Sequence, residues 1–565
     1  MYQDGAAGDV TQNQAEKALV DKVMRKWQSA QAERTQWTSL WQLMADYVRP
    51  SRQVTSKTDT PQLTGFENLF DGTAISACMT LASGCMSRLT PAQVPWFSFE
   101  APRALKGSDD AKKWFAECTE IAIEALASSN FYTQIHELYL DRGAFGTGLI
   151  HCESSERHPL NFKTSVIGSY ALCNGSDGMV DTVYRELEYT ARQAEQEYGL
   201  ESLPESIRRE LATDAEPTKK HKFLHCIYPR AEADRDAGKI GPENKPVASV
   251  HIFVQEKRIV RNSGYDEMPS FGTRYLEWGG SAYGICPTWQ ALPDARQVNE
   301  LQKNMDVLAE IAAFPRFLAP FDQEGEVDLR SSGMTYFKDP QNIPRVWGTE
   351  GRYDVGKDRV LERQKAIKDA FHVELFQMWS AITKQMTAFE ASERAQEKIE
   401  LFSPTFTLLS TELYGPLLRR VFALLLRQSV FPMPPEDSVY QNARGAWAVP
   451  DPDIRYTSRL ALALKAVQNG ALNRTLGTFA PFIEAKPELL DNLNLDLAMR
   501  DIGRSEGLKE DWIVGEDEVA QMRQARAQAQ AAQAQAEQQN VQADSQKMQA
   551  EAAAKLASIP KQGAA

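Results

Sequence analysis

Two stretches of this chain repeat apolar residues at alternating three- and four-residue steps, and the segment between them is too broken to continue either pattern. In LPDARQVNELQKNMDVLAEIAAF, the residues Val298, Leu301, Met305, Leu308 and Ala312 follow steps of 3, 4, 3 and 4. Ile367, Phe371, Leu375, Met378 and Ile382 follow steps of 4, 4, 3 and 4. An α-helix turns once every ~3.6 residues, so each pattern lays a narrow apolar seam along one helix face. Pro293 and Asp294 stand where the first helix is expected to begin. The intervening stretch, from Pro315 to about Gly356, is punctuated by prolines and glycines. The pattern predicts a helical hairpin with a small domain at its tip, each helix of about 24 residues being ~36 Å long.

The flanking sequence divides by periodicity. Residues 11–50 read as one helix, with Leu19, Val23, Trp27, Trp37, Trp41, Met44 and Val48 at helical spacing and Pro50 as its stop. A second helix follows in FDGTAISACMTLASGCMSRL, with Asp71 expected as its N-cap and small residues along a packing face. The segment DRGAFGTGLIHCE, residues 141–153, has three glycines in six positions. A phosphate cradle needs a helix N-terminus behind such glycines. Here the helical spacing lies before them, in FYTQIHELYLDRGAF, and GLIHCE reads as a strand, so a helix stop and turn built from Gly143, Gly146 and Gly148 is expected.

From about 160 to 275, MVDTVYRELEYT, FLHCIYPR and VASVHIFVQEKRIV alternate in the manner of strands, with two short helices expected between the first two. SPTFTLLSTELYGPLLRRVFALLLRQSV returns to a helical period, and Gly415-Pro416 inside it predicts a kink. The last 45 residues contain 15 alanines and 12 glutamines, a composition expected to give a frayed helix or a disordered tail. The fold class is therefore α+β and predominantly helical.

Composition limits the chemistry. Lys plus Arg is 63 against 76 for Asp plus Glu, a formal charge of −13. Tight static binding of nucleic acid normally draws on a basic excess, so this balance argues against it while leaving room for a protein that lets a polyanion pass. Seven cysteines, with no C-x-x-C pair, suit buried thiols in a reducing compartment. No apolar run approaches the ~18 residues of a membrane span, and the N-terminal sequence has no signal-peptide pattern, so neither membrane insertion nor export is expected. His221, His225 and Cys226 lie in a strand-like run, where i and i+4 stand too far apart to chelate easily. His151 and Cys152 are adjacent on a strand and point to opposite faces, which reads as a surface histidine beside a buried thiol. Neither a metal, a cofactor nor a catalytic residue is called, and architecture is the expected role.

Several stretches, in order, resemble one family. They are FDGTAISACMTLASGCMSRLTPAQVPWF, FGTG, DGMVDTVYRELEYTARQAEQEYG, YGICPTWQALPDARQVNEL, MTAFE, STELYGPLLRRVF and YTSRLALA. Together they span roughly residues 15–510 and resemble the head-to-tail connector, or portal, proteins of short-tailed bacteriophages. Cys286 and Pro287 in YGICP, and Phe389 in MTAFE, depart from the usual pattern. The resemblance implies a virion component assembled in the host cytoplasm, a ring of usually about twelve subunits at one capsid vertex. Its implied partners are copies of itself, double-stranded DNA in the channel, a terminase packaging motor, tail adaptor and tube proteins, and the major capsid and scaffolding proteins.

The resemblance also implies a portal-type subunit with a wing (1–280), a two-helix stem (281–312 and 357–382), a small clip insertion (313–356), a channel loop (383–389), a wing helix and connection (390–454), and a helical crown (455–530), before the Ala/Gln-rich tail (531–565). Lys384, Gln385 and Met386 would approach DNA, while Arg316, Lys338 and Arg345 would meet the motor or adaptor through the clip. Val298, Leu301, Met305, Leu308, Ile367, Phe371, Leu375 and Met378 would pack the stem. Two other readings stay open: a soluble nucleotide-binding enzyme using the Gly143–Gly148 turn, and an internal scaffold protein that forms no ring.

Overall fold

The computed structural model describes residues 4–52, 54, 68–105, 107–155, 158–213, 217–232, 235, 241–313, 317–318, 345–346, 353–377, 402–441, 447–458, 494, 496–497, 499–500, 503, 514 and 516–557. The first element, α1 (Asp4–Val48), is long enough to serve two cores. Its Val20, Val23, Met24 and Ala30 cover a β-sheet, and its Trp41, Met44, Ala45 and Val48 enter the main core. In α2 (Thr73–Leu89) the N-cap is Gly72, one residue later than expected. Asp71 still satisfies a free helix-end donor, because its Oδ1 accepts the Thr73 N–H at 2.9 Å. Ala74, Ala77, Cys78, Ala82, Gly84 and Cys85 are buried along α2, the close-packing face that small residues allow.

Next come β1 (Phe97–Glu100), α3 (Asp109–Ser128), α4 (Phe131–Phe145) and β2 (Thr147–Glu153). The three glycines of GAFGTG do three different things. Gly143 lies inside α4, where a Cβ would press on Leu81 at 3.2 Å, so it packs rather than turns. Gly146 ends α4 in the left-handed conformation, φ 83°, with its missing Cβ only 2.2 Å from the Gly284 carbonyl oxygen. Gly148 opens β2 against Leu138, at 2.5 Å from a Cβ position. A helix precedes and a strand follows, so this segment offers no helix N-terminus to a phosphate.

The strands β3 (Asn161–Ser165), β4 (Tyr170–Asn174), β5 (Val180–Thr190), β6 (Lys220–Pro229), β7 (Val247–Phe253), β8 (Arg258–Tyr265) and β9 (Ser270–Arg274) form two antiparallel sheets. One has the order β3-β2-β9, and the other the order β4-β5-β6-β7-β8. Helices α5 (Ala191–Tyr198) and α6 (Glu205–Thr213) are the two short helices expected, α5 opening on a capping box from Thr190 and Gln193. Side chains alternate across the larger sheet. Tyr184, Leu224, Cys226, Val250 and Ile252 meet α1, while Val183, Phe223 and Ile227 join cores on the opposite face. VASVHIFVQEKRIV divides into β7 and β8 about a turn at Lys257, φ 51°.

The predicted hairpin follows as α7 (Pro287–Ala313), a two-residue ladder of β10 (Phe317–Leu318) with β11 (Arg345–Val346), and α8 (Tyr353–Ala370). Helix α7 starts six residues before the expected Pro293, which lies inside it. Burial of Thr288, Ala291, Leu292 and Ala295 holds those first turns in spite of the missing proline N–H. The second helix is not continuous either. It breaks at Phe371 and His372, where His372 adopts φ 53°, and resumes as α9 (Val373–Gln377). The break lets Phe371, Val373 and Leu375 all enter the core, with Phe376 lying over Gly84 of α2.

Helical residues 402–409, here α10, run into a π-helical turn at Ser410–Tyr414 and then α11 (Gly415–Arg427). The irregularity expected at Gly415-Pro416 thus takes the form of a widened turn, the Gly415 N–H reaching back to the Ser410 carbonyl. Pro416 has no N–H to give Glu412, and the extra residue carries the Glu412 side chain inward. There Glu412 is 3% exposed and accepts from the Arg274 backbone N–H at 2.7 Å and from its Nε at 2.8 Å. Short pairs β12 (Tyr440–Gln441) with β13 (Trp447–Ala448), and β14 (Asp453–Tyr456) with β1, follow. The Ala/Gln-rich segment forms α12 (Glu516–Ala557), a single helix of 42 residues whose described side chains are exposed apart from the half-buried Val519. All seven cysteines are free thiols, and six are buried.

Removing one partner of a buried ion pair leaves an uncompensated charge and costs about 3–5 kcal/mol, whereas replacing both with apolar groups of similar volume is close to neutral. Glu412→Gln is expected to lose stability on that scale, and Arg274→Met/Glu412→Leu to recover most of it, in chemical denaturation of the purified protein. Gly146→Ala combines left-handed strain of about 1–2 kcal/mol with a backbone collision. It is expected to lower the melting temperature well beyond Gly178→Ala, where φ is 78° but nothing stands within 4 Å of the new methyl.

Candidate connector site at the helix pair

Helices α7 and α8 pack side by side and antiparallel. Asp294 near the start of α7 accepts from Arg363 near the end of α8 at 2.8 Å, and Met305 farther along α7 lies 3.4 Å from a Cβ position on Gly356 near the start of α8. The seam residues Val298, Met305, Ile367, Phe371 and Leu375 are buried, and Leu301 and Leu308 are half-buried. The apolar seam is therefore spent inside the subunit, where α7, α8 and α2 meet. Ala312 lies at the end of α7, whereas Met378 and Ile382 fall outside the described residues.

The foot of the pair is fixed by polar clamps. Asn299, 4% exposed, accepts from the backbone N–H of Phe70 at 2.6 Å and donates to the Asn68 carbonyl at 2.7 Å. Gln364 on α8 donates to Asp71 Oδ2 at 2.7 Å, and the Lys303 ammonium stands 5.8 Å from the centre of the Phe70 ring. The loop before α2 thus grips both helices. An asparagine inside an apolar seam was the signal for this clamp, because a buried amide survives only with its hydrogen bonds made.

The outer surface of the pair is electrically mixed. Its exposed cations are Arg296, Lys303, Lys357, Arg359, Lys365 and Lys368, and its exposed anions are Glu300, Asp306, Glu310, Asp358, Glu362 and Asp369. Among the described residues here, Trp289, Val307 and Leu361 are the large apolar side chains left in water, with Trp289 lying 5.4 Å from the more exposed Trp278. Of the proposed clip contacts, Arg345 lies in β11 opposite Leu318, while Arg316 and Lys338 fall outside the described residues. Lys384, Gln385 and Met386 also lie outside them.

Residues with chemical potential elsewhere are locked into structure. Cys152 is fully buried and its thiol is pushed up to about 12 by burial, which removes it as a nucleophile. His151, expected at the surface, is buried instead, because residues of the larger sheet, His225 and Tyr265, cover the face of β2 on which it stands. Its ring is 2.7 Å from Ser270 Oγ and 3.2 Å from Glu153 Oε2. His221 and His225 share one face of β6, as the alternation predicts, and among the described residues no group of three or more His, Cys, Asp or Glu is placed to hold a metal. Among the same residues no helix is long and apolar enough to cross a membrane.

Comparison with known proteins matches this chain to one family. The signature of the bacteriophage head to tail connecting protein covers residues 20–514. The portal protein of Salmonella phage epsilon15 is 29% identical over 522 residues, covering 90% of this chain and 91% of that protein. The probable portal protein of Bordetella phage BPP-1 is 28% identical over 525 residues, 91% and 92% of the two chains. Among solved structures, a chain from the virion of a native gene transfer agent particle aligns at 14% identity with a TM-score of 0.32, over 67% of this chain and 90% of that one. This chain belongs to the family of bacteriophage head-to-tail connecting proteins.

Proposed function

We propose that this connector works as a closed ring of identical subunits, about twelve, at one capsid vertex of the virion, with double-stranded DNA passing through its centre. The observation that carries the reading is the antiparallel pair α7 and α8, clamped at one end and bearing the 314–352 insertion at the other. In this assignment the pair is the stem and 313–356 the clip, where Arg316, Lys338 and Arg345 meet a terminase motor and later the tail adaptor. Residues 383–389 form the channel loop, with Lys384, Gln385 and Met386 nearest the DNA. The wing comprises 1–280 together with 390–454, facing capsid and scaffolding proteins, and 455–530 make the crown.

Two physical features support this. A closing ring uses two different faces of each subunit, and Trp278, Trp289, Val307 and Leu361 supply apolar area still open to water. Among the described residues the pair's exposed charges are evenly balanced, so a polyanion moving past would not release the counterions that make binding tight. The work of moving DNA is then done by a separate ATPase, and the connector takes part in no bond-breaking step.

Native mass spectrometry with negative-stain imaging of the protein, alone and co-expressed with its scaffolding protein, is expected to give rings of about twelve subunits with a central hole. A defined small oligomer without a hole overturns the ring. Lys384→Ala is expected to alter the length or retention of packaged DNA in assembled particles. Unchanged packaging would remove Lys384 from the channel while leaving the ring intact.

A further inference from the structure

Four side chains cross the larger sheet in one line. Arg185 on β5 pairs in register with His225 on β6, His225 with His251 on β7, and His251 with Arg261 on β8. The two imidazoles stack with centroids 3.9 Å apart and planes 15° from parallel. From the smaller sheet, His151 on β2 meets His225 nearly perpendicular at 5.8 Å. Each of the three rings is 5% exposed or less. Three of the chain's seven histidines therefore converge where the two sheets pack.

The hydrogen bonds decide which nitrogens hold protons. A guanidinium only donates, so His225 Nδ1, 3.4 Å from Arg185 Nη1, accepts, and His225 Nε2–H donates to Ser249 Oγ at 3.0 Å. His151 Nε2–H donates to the Glu153 carboxylate, leaving Nδ1 to accept from the Ser270 hydroxyl. His251 Nδ1 bonds the Tyr198 hydroxyl of α5 at 3.0 Å. A second proton on His225 would face an arginine N–H and lie against another imidazole, with no acceptor. The cluster is already one bond short, since Arg185 Nε is buried without a partner.

The surrounding charges do not offset this. Arg185 from β5, Arg261 from β8 and Arg420 from α11 act on the rings, Lys163 of β3 stands in register beside His151, and Glu153 from β2 is the carboxylate facing them. Glu153 is itself bonded by Tyr265 of β8, while Arg261 and Arg420 are paired with Glu197 and Glu267.

We propose that His151, His225 and His251 form an acid-sensitive latch between the two sheets, closing the seam while neutral and opening it when protonated. The inference concerns the folded chain and does not rest on the connector reading. Burial, reinforced by neighbouring positive charge, holds His151 at about 4, His251 at about 3 and His225 well below an ordinary imidazole. In an opened seam the rings would titrate near the usual ~6.5. The closed-state values lie below the open-state ones, so the closed form keeps its full advantage above about pH 6.5 and loses it as pH falls towards about 4. Each ring multiplies the opened population by about tenfold per pH unit in that window, and three do so by up to about a thousandfold.

Hydrogen exchange of the full-length protein between pH 7.5 and 4.5, corrected for intrinsic rates, tests this. Amides of β2, β6 and β7 are expected to lose protection by more than about tenfold per pH unit below about pH 6, well beyond those of β1 and β14. His225→Gln keeps an acceptor for Arg185 and a donor for Ser249 but does not titrate, and is expected to reduce the slope by about tenfold per pH unit. A slope at β2, β6 and β7 no steeper than at β1 and β14 overturns the latch, as does an unchanged slope in a folded His225→Gln. Should that variant not fold, the comparison between the two strand groups in the unaltered protein decides alone.

Discussion

The ion pair between Arg274 and Glu412 is the constraint on which the rest of the molecule hangs. Both side chains are 3% exposed, and a charge removed from water costs several kcal/mol unless its partners are in place. Arg274 answers with donors in every direction: its backbone N–H and Nε go to Glu412, Nη1 to the Ser281 carbonyl, and Nη2 to the Gly178 carbonyl and to Glu277. One guanidinium thereby joins β9, the π-turn, the β4–β5 turn and the loop that leads into α7. Beside it, the buried Arg142 donates to the Arg274 and Thr405 carbonyls, tying α4 and α10 to the same point. Because the charges tolerate no half-made arrangement, the direction in which α7 leaves the core is set by this junction.

From that junction the helix pair inherits its rigidity. Gly146 and Gly284 let the end of α4 and the approach to α7 touch backbone to backbone, and Thr288 Oγ1 donates to the Gly143 carbonyl one turn further on. Asn299 and Asp71 then fasten both helices to the segment before α2. The apolar seams are consumed in making this foot, so association between copies must use what remains outside: scattered aromatic and aliphatic side chains amid balanced charge. Such a surface would give contacts of moderate strength over a long face, as the ring proposed above requires.

Period and punctuation made much of this legible in the sequence. The 3–4 steps of Val298 to Leu308, the alternation in β5 to β8 and the Pro50 stop all report local geometry, and the structure follows them. What sequence hid is set by tertiary pairing. Pro293 looked like a helix start because its missing N–H costs nothing there, yet burial of the turns before it extends the helix through it. Phe371 continued the seam of α8, and only the presence of α2 shows why the chain breaks at His372 to bury Phe371 and Leu375 together. His225 and His251 are 26 positions apart, and nothing short of strand register brings their rings face to face. Gly415-Pro416 marks an irregularity but not its form, and the inward turn of Glu412 depends on the π-helical residue that the structure places there.

Two buried polar networks of opposite character organise the two sheets and the foot of the helix pair. Around Arg274 a cation meets an anion and several carbonyls in a single closed geometry, and burial, opposed by the Arg274 hydrogen bonds, leaves the Glu412 carboxyl above its ordinary value. Around Arg185 a cation meets neutral rings, leaves its Nε without a partner, and stays in place only while those rings carry one proton each. The first network holds the root of α7, and the second holds the seam between the two sheets. The two differ in what proton uptake does to them: on the latch proposed above, acid opening begins at the seam between the sheets, where a second proton on His225 finds no acceptor, before it reaches the Arg274 junction.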